Sequence, residues 1–140
     1  MIKTEVLELN DKKLFEEAIS AAEKSYSEYS GFSVGAALLT ADGSVYKGCN
    51  IENASYSLTM CAERTAFFKA VSEGAKEFMA IAIAGSSKGE YRNSPCFPCG
   101  ACLQVMSEFC SSSFRIILSD GSHTLSEFMP IRFDSNNMKR

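Results

Sequence analysis

Two short cysteine motifs limit what this chain can fold into more than any other feature. The first is Cys61-Ala62-Glu63-Arg64; the second is Pro98-Cys99-Gly100-Ala101-Cys102. Each opens a stretch that reads as a helix. A Cys-x-x-Cys pair on a first helical turn can bind one ion, and a third thiolate from another helix completes the protein ligands. The fold must then bring two distant helix starts together. Helix starts suit thiolates, because free N–H groups and the helix dipole stabilise negative charge. Zinc is the expected ion. It favours thiolates in four-coordinate geometry, and a catalytic zinc keeps one position for water, whose pKa it lowers to about 7.

Glu63 turns a metal site into a chemical one. It lies two residues past Cys61, a spacing that points side chains apart in mid-helix. At a helix start the side chains tilt back toward the N-terminus and converge beyond it. A carboxylate there can accept a proton and pass it to a substrate. Three thiolates leave the zinc with a net negative set of ligands. Arg64 is placed to offset that charge by donating to a thiolate sulfur; a salt-bridging surface arginine is its plainer reading. Together these residues describe a hydrolytic enzyme.

The chain has six cysteines in 140 residues. Its first residues include Lys3, Glu5 and Glu8 where a secretory leader would be apolar. The expected location is the cytoplasm, where thiols stay reduced and point to metal or chemistry before disulfides. Cys49 ends a strand and Cys110 ends a helix, so both read as packing residues. Cys96 competes with Cys102 for Cys99, since Cys96-Phe97-Pro98-Cys99 is also a Cys-x-x-Cys pair. Cys99/Cys102 is the preferred pair, because Pro98 fits just ahead of a helix but interrupts a turn inside the first pair. Gly100 and Ala101 also leave room near the metal. His123, the only histidine, follows a turn far from both motifs.

A net charge of −3 with no Lys/Arg run argues against nucleic acid as partner. No window approaches the roughly 18 apolar residues of a membrane helix. The pattern predicts a helix over residues 11–27, capped by Asn10 or Asp11, with Leu14, Phe15, Ala18, Ile19, Ala22 and Tyr26 as its apolar stripe. Strands follow over 32–39 and 45–49, joined at Asp42-Gly43. A helix over 61–73 ends at Gly74, then come a strand over 79–84, a helix over 100–110, a strand over 114–118 and a short one over 123–125. The expectation is one α/β domain over residues 1–140: a three-layer α/β/α arrangement with a mixed five-stranded sheet.

These residues resemble the zinc-dependent cytidine deaminases of the small tetrameric class. The resemblance covers the two cysteine motifs and also Phe32-Ser33-Val34-Gly35-Ala36-Ala37-Leu38-Leu39, Gly48-Cys49-Asn50-Ile51-Glu52-Asn53-Ala54-Ser55-Tyr56, and Leu103-Gln104-Val105-Met106. It implies one Zn2+ per subunit held by Cys61, Cys99 and Cys102, with Glu63 as proton shuttle. It implies that Asn50 and Glu52 hold a ribose hydroxyl, that Phe32 contacts the base with Val34 beside it, and that the Ala62 N–H meets the pyrimidine carbonyl. Phe133 resembles the aromatic that closes a neighbouring subunit's pocket, in a homotetramer with shared active sites. The implied reaction is deamination of cytidine and deoxycytidine in pyrimidine salvage. Such enzymes often carry Pro where Glu28 and Ser33 stand, and a basic residue where Leu103 stands, which leaves Arg64 more of the charge compensation. The competing readings are deamination of an antibiotic such as blasticidin S, polynucleotide editing, and a non-catalytic four-cysteine zinc module that adds Cys96.

Overall fold

The computed structural model describes residues 2–139, with side chains from residue 11 onward. Helix α1 spans Ile2–Ala22, strand β1 Ser33–Thr40, β2 Val45–Cys49, helix α2 Ala62–Ser72 and β3 Phe78–Ser86. Helix α3 spans Gly100–Phe109, followed by β4 Arg115–Leu118, β5 Gly121–Thr124 and the short helix α4 Leu125–Phe128.

Helix α1 departs from expectation at both ends. It runs through Asn10 and Asp11 instead of starting there. No Gly or Pro interrupts residues 2–10, and Asn and Asp lower helix propensity without breaking a helix. It stops at Ala22 because the next residues are claimed elsewhere. The Tyr26 N–H bonds the Asn50 carbonyl, and the Tyr26 carbonyl accepts from the Glu52 N–H. Tyr26 therefore leaves the stripe and lies half-exposed. Helix α4 falls where the pattern predicts the end of a short strand.

The sheet order is β2-β1-β3-β4-β5. Strand β1 is antiparallel to both β2 and β3, and β3 is parallel to β4. Strands β2, β3 and β4 therefore run in one direction. Helix α2 follows β2 and α3 follows β3, so both helix starts lie beyond the same end of the sheet. Ligand sites of open α/β sheets form at that end.

Both faces of the sheet are buried, which is why β1 and β3 read as nearly continuous apolar runs. Leu14, Phe15 and Ala18 of α1 pack on Ala37, Ala80, Ala82, Ala84 and Ile117. On the other face, Ala36, Leu38, Ile81, Ile83 and Ile116 meet Ala62, Ala66, Phe67, Leu103 and Met106. The three-layer mixed sheet is as expected.

The helices sit directly on strand backbone at two glycines. A Cβ on Gly35 would lie 1.9 Å from the Ala18 carbonyl oxygen and 2.3 Å from the Ala22 nitrogen. A Cβ on Gly48 would lie 2.5 Å from the Ala62 carbonyl oxygen. Backbone cannot rotate away as a side chain can. Gly35→Ala is expected to lower unfolding free energy by about 3 kcal/mol, as overpacking does. A denaturant titration checks this; an unchanged midpoint would contradict the close approach.

Candidate metal and catalytic site

Cys61 and Cys99 are the N-cap residues of α2 and α3, each in extended backbone conformation. Cys102 follows within the first turn of α3 and is buried. The Cys61 and Cys99 sulfurs lie 3.9 Å apart, and those of Cys99 and Cys102 lie 3.5 Å apart. All three ligand atoms fall within 4.8 Å of one another. Tetrahedral zinc with Zn–S bonds of about 2.3 Å needs sulfurs about 3.8 Å apart. The three thiols fit that spacing and are the donor type zinc favours.

Glu63 sits in the first turn of α2, only 5% exposed. Burial, with the Cys61 charge adding to it, pushes its carboxyl up to about 7. Arg64 Nη2 donates to the Cys61 sulfur at 3.3 Å. A hydrogen bond from Cys102 and the Arg64 contact hold the Cys61 thiol down at about 5. Cys102 moves in the opposite sense, because its proton serves Cys61. Leu103, lacking charge, turns into the core beneath α3. Among the described residues no Lys or other Arg donates to a thiol sulfur, so Arg64 alone provides that contact.

Cys96 lies apart from the three-sulfur cluster. A Cβ on Gly85 would meet the Cys96 sulfur at 2.7 Å and Phe32 Cε2 at 2.9 Å. Cys96 and Phe32 therefore both lie over Gly85 at the end of β3, and burial pushes the Cys96 thiol up to about 11. Cys49 bonds the Lys24 carbonyl, and Cys110 is buried at the end of α3. His123 pairs with Asp120 and Glu127, away from the cysteines.

Asn50 and Glu52 converge on the loop between α1 and β1. Asn50 is 8% exposed. Its Oδ1 accepts from the Val34 N–H and the Ser25 hydroxyl, while its Nδ2 donates to the Phe32 carbonyl. Glu52 accepts from the Tyr29 and Ser30 N–H groups and from the Ser30 hydroxyl. Nothing in the sequence singles out Ser25 and Ser30: Ser25 falls inside the helix expected over residues 11–27, and Ser30 reads as ordinary turn chemistry. Ser27 and Ser33 hydroxyls bond at 3.2 Å, tying together the loop where proline was absent. Phe32 is 40% and Phe133 60% exposed. The Phe133 carbonyl accepts from the Gln104 side chain. A separate cavity of about 520 Å³, lined by Leu14, Leu39, Thr40, Val45, Met79 and Arg115, lies at the opposite end of β1 and contains none of these groups.

Comparison with known proteins agrees with this geometry. The family model of the cytidine and deoxycytidylate deaminase zinc-binding region matches residues 9–118. A cytidine deaminase of Sporosarcina psychrophila is 52% identical over 109 residues, covering 78% of this chain and 76% of that protein. One from Halalkalibacterium halodurans is 47% identical over 135 residues, covering 93% and 98%. The crystal structure of a cytidine deaminase from Burkholderia pseudomallei superposes with a TM-score of 0.78 at 43% identity, covering 87% of this chain and 98% of that one. Zinc is thus the cofactor indicated both by the family and by the three-sulfur donor set. The chain belongs to the cytidine and deoxycytidylate deaminase family of zinc-binding proteins.

Proposed function

We propose that this chain catalyses the hydrolytic deamination of cytidine and deoxycytidine to uridine and deoxyuridine, releasing ammonia. The observation that carries this reading is the meeting of three thiols with the buried Glu63 at two helix starts. Cys61, Cys99 and Cys102 would hold one zinc per subunit. Bound zinc supplies Lewis-acid activation of water at neutral pH. Glu63 takes a proton, delivers it to the ring nitrogen beside the amino-bearing carbon, and helps transfer a proton to the departing amine. Its seclusion from solvent keeps those transfers on substrate. Arg64 steadies the Cys61 thiolate.

The remaining roles follow from donors and acceptors left over. Asn50 Nδ2 gives one hydrogen to the Phe32 carbonyl and has a second for a ribose hydroxyl. Glu52 has only acceptors, so it suits the hydrogen of that hydroxyl. Phe32 and Val34 wall the base, and the Ala62 N–H at the start of α2 bonds the pyrimidine carbonyl. Phe133 closes the pocket of a neighbouring copy in a homotetramer. Exposed Tyr29, Tyr56 and Leu58 near the same loops support burial against further copies. We place the protein in the cytoplasm, in pyrimidine salvage, as one domain over residues 1–140 acting on free nucleosides. Among the described residues no helix is long and apolar enough to cross a membrane.

The test is ammonia release by zinc-loaded protein from cytidine, deoxycytidine, cytosine, CMP and blasticidin S. Turnover of the two nucleosides is expected, with CMP poor for want of a cationic cluster at its phosphate. No release from either nucleoside would overturn the reading, and release from blasticidin S alone would replace it.

A further inference from the structure

The segment after α4 is tied back onto α3 at three points. Ser107 Oγ donates to Met129 Sδ at 3.2 Å, Arg132 Nη1 to the Cys110 carbonyl at 3.1 Å, and Gln104 Nε2 to the Phe133 carbonyl at 2.8 Å. The tail thus ends this run at Gln104, nearer the start of α3, where Cys99 and Cys102 lie. Little packing holds the residues on either side of Arg132: Ile131 is 90% exposed and Phe133 60% exposed. An exposed phenyl ring on a loose tail would sample many positions, and ordering it on binding costs free energy. A backbone bond at residue 133 itself leaves mainly the two side-chain torsions free.

We infer that Gln104 is a positioning residue for nucleoside binding: its carboxamide fixes the Phe133 backbone and so aims the Phe133 ring at the pocket it closes. The carboxamide can hold a carbonyl because its nitrogen carries two donors. It stands on α3, so the ring is carried by a rigid element of its own subunit while it closes the neighbouring copy's pocket. This rests on the reading that Phe133 contacts nucleoside.

The test is a double-mutant cycle on full-length, zinc-loaded enzyme with cytidine as substrate. Gln104→Met keeps the length of the side chain and removes the donor. KM is expected to rise roughly five-fold, the scale of one aromatic contact, with kcat within about two-fold because the proton-transfer groups are untouched. Zinc content stays at wild-type level. Phe133→Ala raises KM at least as much, and adding Gln104→Met to it raises KM no further. A double variant whose KM effects multiply would overturn the inference, since Gln104 would then act without Phe133. So would an unchanged KM in Gln104→Met beside a raised KM in Phe133→Ala. If Phe133→Ala leaves KM unchanged in an active enzyme, the assignment of Phe133 falls and takes this inference with it. Absence of cytidine turnover in the wild type instead marks failure of the proposed function.

Discussion

Glu63→Gln is expected to fold, keep its zinc and lose about 10²- to 10⁴-fold in kcat, the range for removing a general acid–base group. The carboxamide occupies nearly the same volume at a site that is 5% exposed, so packing is preserved. Cys61, Cys99 and Cys102 are untouched, so metal content is preserved as well. The amide cannot exchange a proton at neutral pH, and no other carboxylate stands in the first turn of α2. Steady-state kinetics beside metal analysis check the prediction. Full activity in the zinc-loaded variant would remove Glu63 from the mechanism.

The second large effect separates two neighbouring cysteines. Cys99→Ser is expected to lose stoichiometric zinc, and turnover with it, because a neutral hydroxyl replaces a thiolate donor. Cys96→Ser is expected to keep both. Its sulfur lies over Gly85, where the Phe32 ring also sits, so the cost falls on packing and on substrate affinity. Metal analysis of the two purified variants decides between them. Loss of zinc from Cys96→Ser would show that the competing Cys-x-x-Cys pair is the ligand pair.

The clustering of Cys99 and Cys102 with Cys61 was legible in the sequence because it depends on local chemistry. Pro98 precedes the helix start, and Cys99 and Cys102 share one helical turn. The strand and helix order was also legible, since the apolar runs of β1 and β3 and the glycine after α2 are local signals. Long-range features were not. The end of α1 is set by the pairing of Tyr26 with residues 50–52, which no periodicity reveals. Gly35 and Gly48 read as ordinary strand residues until α1 and α2 are laid on them. Asn50 and Glu52 carried a signal through resemblance, whereas their serine partners Ser25 and Ser30 carried none. Gln104 gave no sign of its bond to Phe133, because the two meet only after the chain has folded back along α3.

The account depends on a zinc site that is open to substrate, with three sulfurs at two helix starts. X-ray absorption at the zinc edge on the wild-type protein tests this most directly. The expected spectrum fits three sulfur neighbours and one lighter atom around each zinc. Four sulfurs would contradict it, marking a closed structural site that draws in Cys96 and leaves Glu63 without a reaction to serve.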